Sequence, residues 1–290
     1  MTLAPEFSNC APPQYLTATV IEQEQMARDT YRLRLECPEI SENILPGQFF
    51  MVREPGVNDP LLGRPFALYD TCLNETGQPT GIDFGYVVIG KLTSRMTHWQ
   101  SGDQVEIWGP LGNGFPKPGR GALAMVAGGI GQTPFLATAR EALGLREYGQ
   151  SQRILEELPA KVSLLYGARS EAYLAGLDDF NLKGLEVKVA TDDGTFGHHG
   201  YVTDLLQQQI EGPTPPATIF CCGPEPMMEA VSKIAIESGI PCWLSLETPM
   251  ACGFGACFSC VAKVRISDEE WDYRRTCVEG PVFKAESLVF

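Results

Sequence analysis

Near the carboxyl end, the segment CGFGACFSC places cysteines at positions 252, 257 and 260, and a fourth, Cys277, follows across sixteen intervening residues. This C-x4-C-x2-C spacing with a distant fourth thiol is the plant-type arrangement for a [2Fe–2S] cluster, in which one tight loop supplies three thiolates. Gly253 and Gly255 suit such a loop: without side chains they let the backbone curl closely and aim N–H groups at the cluster sulfurs. Zinc is the competing reading of Cys252, Cys257, Cys260 and Cys277, but zinc knuckles generally use paired C-x2-C units, and the segment holds one such pair.

The ten cysteines would suggest disulfides in a small secreted protein, yet the chain has 290 residues and its first residues, MTLAPEFSNCAPPQ, have neither a basic start nor an apolar h-region. Reduced thiols and a cytoplasmic location are therefore expected, with residues 1–13 as a loose tail. Cys10, Cys37, Cys72 and Cys242 are scattered singly and read as small core hydrophobes. A formal net charge of −14 repels phosphate backbones and anionic lipid, so neither nucleic acid nor membrane is an expected partner.

From residue 14 to about 118 the chain runs in short β-rich segments, YLTATVIEQ, TYRLRLEC, GQFFMVRE, IDFGYVVIG and DQVEIWG, separated by Gly, Pro and Asn. With no long helical period among them, they predict an antiparallel β-barrel. Around Ala122 the pattern changes to apolar strands alternating with helical periods, which predicts a doubly wound parallel sheet over 119–240. PKPGRG marks the linker, PCWLSLETP offers one further strand, and residues 241–290 form a small cluster-bearing domain.

Three motifs lie within these domains. GGIGQTP is a strand-to-helix turn in which Gly128, Gly129 and Gly131 let backbone approach a pyrophosphate, with the helix opening near Thr133 and Pro134. An empty glycine turn is its bland alternative. In CCGPEPMM, Gly223 and Pro224 force a turn at a strand end, where open α/β sheets bind ligands, and Cys222 could face a nicotinamide. Ordinary core packing is the alternative for Cys221 and Cys222. In GRPFALYD, Arg64 could hold a phosphate and Phe66 or Tyr69 could pack on a flat ring, although a surface Arg beside a core Phe would look the same. His198 and His199 read as solvated loop residues, and no acid–base constellation stands out.

In that order, RPFALYD, GGIGQTP, CCGPEPMM and the terminal cysteine set resemble the ferredoxin–NADP reductase superfamily over nearly the whole chain. Within it, MACGFGACFSC, GPLGNGF, TDDGTFGHHGYVTDLL and CVEGPVF resemble the electron-transfer subunits of type B dihydroorotate dehydrogenases. The resemblance implies a six-stranded barrel that binds FAD through an R-P-x-S motif, here Arg64, Pro65, Phe66 and Ala67, with Ala67 in place of the usual Ser. It also implies a Y-x-V-x-G-x-x-T flavin segment, here Tyr86, Val88, Gly90 and Thr93, and NAD(H) as the dinucleotide. The partner it implies is an FMN-containing dihydroorotate dehydrogenase catalytic subunit, assembled as a heterotetramer and acting in pyrimidine synthesis. A flavin belongs between the other two centres because a nicotinamide passes two electrons at once and a [2Fe–2S] cluster takes one.

Two other readings stay open at this stage. One is a flavin and iron–sulfur reductase subunit of another complex, such as a sulfhydrogenase or sulfite reductase; the other is a zinc-stabilised scaffold or redox sensor. A tail of about fifty residues has little core of its own, so Met250, Phe254 and Phe258 are expected to mark a docking face beside the cluster.

Overall fold

The computed structural model describes residues 12–149, 153, 155 and 157–290, so Cys10 and all but the last two residues of the expected tail lie outside the described residues. The first sheet contains β1 (Gln14–Ala27), β2 (Thr30–Glu36), β3 (Phe49–Arg53), β4 (Arg64–Ala67), β5 (Asp70–Leu73), β6 (Pro79–Val87) and β7 (Gln104–Leu111). Two short helices, α1 (Pro38–Ser41) and α2 (Lys91–Met96), connect them. The hydrogen-bonded order is β4-β3-β7-β1-β2-β6-β5, and every pairing is antiparallel.

Period-two alternation turns one face of these strands inward, where Val20, Leu33, Leu35, Phe50, Val52, Ile82, Phe84, Val105 and Ile107 form a single core. The two edge strands are consecutive in the chain. Between them the Leu68 amide donates to the Gln48 carbonyl at 3.0 Å and the Tyr69 amide to the Asp83 carbonyl at 2.9 Å. The sheet therefore curls until Arg64–Leu73 passes from one edge to the other, and this change of partner explains why seven strand segments stand where six strands were implied.

Beyond the linker come β8 (Ala122–Gly128), α3 (Phe135–Ala142), β9 (Lys161–Ala168), β10 (Leu185–Thr191), β11 (His198–His199), α4 (Val202–Glu211), β12 (Thr218–Cys222), α5 (Glu225–Glu237) and β13 (Cys242–Ser245). A hairpin of β14 (Val261–Arg265) and β15 (Trp271–Arg275) follows, and then β16 (Val282–Lys284). The second sheet has the order β11-β10-β9-β8-β12-β13-β16 and is parallel except at β13–β16. Its central strand β8 is buried throughout: Leu123, Met125 and Ala127 enter one core, and Ala124 and Val126 enter the other. This two-sided burial is why ALAMVA reads as an unbroken apolar run.

The histidine pair, expected in a loop, instead forms β11 alongside β10, and His198 Nε2 lies 3.2 Å from an Asp204 carboxylate oxygen. The helix expected from Thr133 begins at Phe135. Before it, Gly129–Gln132 form a 3-10 turn that is tightened because the Thr133 amide and hydroxyl both donate to the Ile130 carbonyl at 3.0 Å.

Candidate functional site

The strand order reverses between β8 and β12, so the carboxyl ends of these two strands flank the crevice where open α/β sheets bind ligands. Both dinucleotide motifs end there. At Gly131 a Cβ would collide with the Cys222 carbonyl group, lying 2.6 Å from its carbon and 2.8 Å from Gly223 Cα. Gly128 is similarly hemmed in by Met227 and Pro224. The sequence expects these glycines to let backbone approach a pyrophosphate; Gly128 and Gly131 in addition pack the GGIGQTP turn directly against the CCGPEPMM turn. Gly129 differs, with positive φ and open space where a Cβ would stand, so backbone is bare to a ligand there.

Beside it Gln132 is fully buried, and neither its amide nitrogen nor its carbonyl oxygen has a hydrogen-bond partner. An unpaired buried amide is costly, which makes Gln132 a residue waiting for a partner and one the sequence reading passed over. Cys222 is half-buried at the end of β12. Burial, helped by the charge of Glu247, pushes its thiol up to about 12 against a hydrogen bond with Ser245. It is therefore a neutral S–H at physiological pH, suited to packing against a ring and unable to act as a base. Cys221 is fully buried and packs with α5 and β13 in the core, as its bland alternative held.

The flavin motifs meet where β4 lies against β6. Phe66 packs on Phe84 with ring centroids 4.6 Å apart, and also approaches Tyr86 at 6.4 Å. Pro65 and Ala67 are half-buried on the same strand. The Tyr86 ring is buried, and its hydroxyl donates to Gln23 Oε1 at 2.7 Å, so its body serves the barrel core. Val88 packs against that core too. Thr93 is buried, and its hydroxyl accepts the Ile89 and Gly90 amides, each at 3.0 Å, which fixes the turn into α2. Arg64 behaves differently from most arginines in the chain: it is exposed, and it donates only to the Leu62 and Gly63 carbonyls, with no carboxylate partner among the described residues. Leu61, Leu62 and Ile89, the last 82% exposed, leave apolar surface on the loops around these motifs. A guanidinium free of acids next to exposed apolar side chains fits a ligand that carries both phosphate and ring.

The cysteine loop leans on the outside of the barrel. Met250, Cys260 and Cys277 are buried with Phe49, Met51 and Leu111, and the Trp108 indole N–H donates to the Cys252 carbonyl at 2.8 Å. Gly253 and Gly255 both have positive φ, and a Cβ at Gly253 would come within 2.6 Å of Met51 Cγ. Phe258 is a rare non-glycine residue with positive φ, and the Arg275 guanidinium caps its ring at 4.9 Å. The Cys260 and Cys277 sulfurs stand 3.1 Å apart, held from behind by the Thr276 amide and hydroxyl, which donate to the Cys260 carbonyl at 2.7 and 3.1 Å. Hydrogen bonds from Ser259 and Cys252 draw the exposed Cys257 thiol down to about 6, while burial drives Cys277 up to about 12. Among the described residues, no three His, Cys, Asp or Glu side chains converge as holders of a single ion. Three soft thiols on a loop shaped by positive φ at Gly253, Gly255 and Phe258, with a fourth from the segment after β15, fit an iron–sulfur cluster. Of the three expected docking residues, Met250 belongs to the barrel contact, while Phe254 and Phe258 point outward at 58% and 64% exposure.

Comparison with known proteins decides the family. Residues 247–289 match the iron–sulfur cluster binding domain of dihydroorotate dehydrogenase B, and residues 125–233 match the oxidoreductase NAD-binding domain. The dihydroorotate dehydrogenase B (NAD(+)) electron transfer subunit of Geobacillus thermodenitrificans is 36% identical over 274 residues, covering 93% of this chain and 97% of that protein. Its counterpart in Clostridium perfringens is 34% identical over 278 residues, covering 96% and 99%. The chain belongs to the electron-transfer subunits of dihydroorotate dehydrogenase B. Among solved structures, a chain of an NADH-dependent reduced ferredoxin–NADP oxidoreductase superposes with a TM-score of 0.77 at 25% identity, over 94% of this chain and 89% of the other. A cytochrome P450 reductase from Amycolatopsis shares the fold at a TM-score of 0.61 and 24% identity, over 78% and 67%. For a member of this family, the residues that sequence reasoning missed are those joining its parts: Trp108 behind the cluster loop, Gln132 in the glycine turn, and Glu247 and Ser245 beside Cys222. Each carries an ordinary side chain whose role depends on a neighbour distant in sequence.

Proposed function

We propose that this chain is the diaphorase subunit that carries electrons between NAD(H) and an FMN-containing dihydroorotate dehydrogenase catalytic subunit, through FAD and a [2Fe–2S] cluster, in pyrimidine synthesis. The observation that supports this most is full-length similarity to named electron-transfer subunits together with a cysteine loop of cluster-binding spacing. We assign residues 14–118 to FAD, 119–240 to NAD(H) and 241–290 to the cluster, in a cytoplasmic heterotetramer. No helix among the described residues is long and apolar enough to cross a membrane.

Cys252, Cys257, Cys260 and Cys277 would hold the cluster. Arg64 would meet the FAD diphosphate, with Pro65, Phe66 and Ala67 along the ring and Tyr86, Val88, Gly90 and Thr93 shaping the wall behind it. Gly129 and Gln132 would receive the dinucleotide at the rim of the joint that Gly128, Gly131 and Thr133 make with Gly223 and Pro224. Cys222 would press a neutral thiol toward the nicotinamide, where it excludes water without exchanging protons. When bound, the flavin supplies the exchange between hydride transfer and one-electron transfer. Phe254 and Phe258, exposed beside the cluster loop, present the docking face.

The test is reconstitution. The chain, purified with its cofactors and mixed with the catalytic subunit, should form a stable complex in which dihydroorotate reduces NAD+. If the complex forms and no dihydroorotate-dependent NADH appears, or if the chain copurifies instead with hydrogenase or sulfite reductase subunits, this reading is wrong.

A further inference from the structure

Away from the crevice, a cavity of about 370 Å³ opens between the barrel and α3, lined by four arginines, Arg32, Arg34, Arg140 and Arg146, and three aspartates, Asp70, Asp83 and Asp179. Four guanidinium groups in one depression are unexpected in a chain with a net charge of −14. Ion pairing between the two domains accounts for part of the cluster: Asp70 of the barrel binds Arg140 at 2.5 Å and Arg146 at 2.8 Å.

Hydrogen-bond accounting shows what pairing leaves over. The carboxylates are well supplied. Asp70 also accepts from the Tyr148 hydroxyl and the Thr71 amide, Asp83 takes Arg34 through both its oxygens and the Cys72 thiol as well, and Asp179 accepts the Tyr69 hydroxyl. The donors are not used up. Each guanidinium has five N–H groups, yet Arg140 and Arg146 each engage only Nη1, so Nε and Nη2 of both lack a partner among the described residues. Thr71, 4% exposed, lines the same cavity, and its hydroxyl is buried and unpaired. Glu24 and Glu22 approach Arg32 and Arg34 from the rim, where both are half-exposed and water screens them.

Spare donors on Arg140 and Arg146, spent aspartates and an orphan hydroxyl describe an anion site. We propose that this cavity binds a phosphate-type oxyanion, either free phosphate or the phosphate end of a small metabolite. The free Nε and Nη2 groups of Arg140 and Arg146 enter from α3 and the loop after it and would meet the anion directly, while Arg32 and Arg34 on β2, held by their own carboxylates, line the opposite wall. A bound anion would also tie α3 to the barrel, and α3 is the helix that follows the GGIGQTP turn.

The test is calorimetric titration of the cofactor-loaded chain with inorganic phosphate, at constant ionic strength in chloride and with NAD+ saturating so that the dinucleotide site is filled. One saturable site is expected. Arg146→Gln should weaken it about tenfold, as should Thr71→Val, which keeps shape and charge while removing the orphan hydroxyl. Thr71→Val guards against loss of fold, because its melting temperature should match that of the parent. Repeating the titration with a phosphate monoester of a small sugar separates the two sources: tighter binding than phosphate points to a metabolite, equal binding to the free ion. No saturable heat, or an affinity unchanged in both variants, would overturn the proposal.

Discussion

Replacing Asn113 by alanine should loosen the cluster segment from the rest of the molecule. Asn113 lies just past β7, 6% exposed, and its side chain acts as a surrogate strand for β16. Its Nδ2 donates to the Val282 carbonyl at 2.8 Å, its Oδ1 accepts the Val282 amide at 3.1 Å, and its own backbone amide donates to the Gly280 carbonyl at 2.7 Å. Alanine keeps the backbone bond and strands both Val282 groups. Each buried backbone group left unpaired costs about 1–3 kcal/mol, so the pair costs about 2–6 kcal/mol. In a protein of this size that corresponds to a fall in melting temperature of roughly 5–15 °C. Urea unfolding followed by visible cluster absorbance and by far-ultraviolet dichroism should show the cluster signal moving first. Asn113→Asp is the sharper control: nearly isosteric, it still accepts from Val282 N–H but turns an oxygen toward the Val282 carbonyl, so it should be no better than alanine. A loss below about 1 kcal/mol, or full rescue by aspartate, would refute the hydrogen-bond account.

Cys257→Ser or Cys260→Ser should lose cluster absorbance and iron while FAD stays bound and NADH still reduces it; retained iron would remove those residues from the ligand set. Gly131→Val should raise the KM for NADH and lower stability together, because the clash is with the Cys222–Gly223 backbone, whereas Gly129→Ala should cost only about 1–2 kcal/mol of left-handed strain, and equal behaviour of the two would undo the distinction. The thiols of Cys222 and Cys242 are held near 12 against an ordinary value of 9.0, so the unfolded chain releases their protons first: their contribution to stability should be flat below pH 9 and fall from there toward 12, and Cys222→Ser should remove its share of that slope. Phe258→Asp should abolish dihydroorotate-driven NAD+ reduction by the mixed subunits and spare NADH oxidation by an artificial one-electron acceptor; normal coupled turnover would place the docking face elsewhere.

What was legible in the sequence was whatever is written in short range. Period-two segments marked the first sheet, the apolar run at Ala122 marked a strand covered on both faces, and cysteine spacing marked the cluster loop. The strand at Arg64–Ala67 was harder to see because a proline occupies its second position and its neighbours are set by the curl of the sheet, which brings its two edges near each other. The packing role of Gly131 was not legible because Cys222, whose carbonyl a Cβ there would meet, lies about ninety positions away in sequence and comes near only once β8 and β12 are paired. Met250 looked like a docking residue for a related reason: its burial depends on Phe49, Met51 and Leu111, which belong to another domain.

The placement of β16 bears on how the chain is made. β13 pairs with β12 on one side and with β16 on the other, and nearly forty residues, including the whole cysteine loop, separate β13 from β16 in sequence. During synthesis the nucleotide-binding sheet must wait with an open edge at Cys242–Ser245 until β16 has emerged, and an unpaired apolar edge is a template for pairing with other chains. A chain cut between β15 and β16 would therefore keep that edge open, and pairing with other chains would begin at β13.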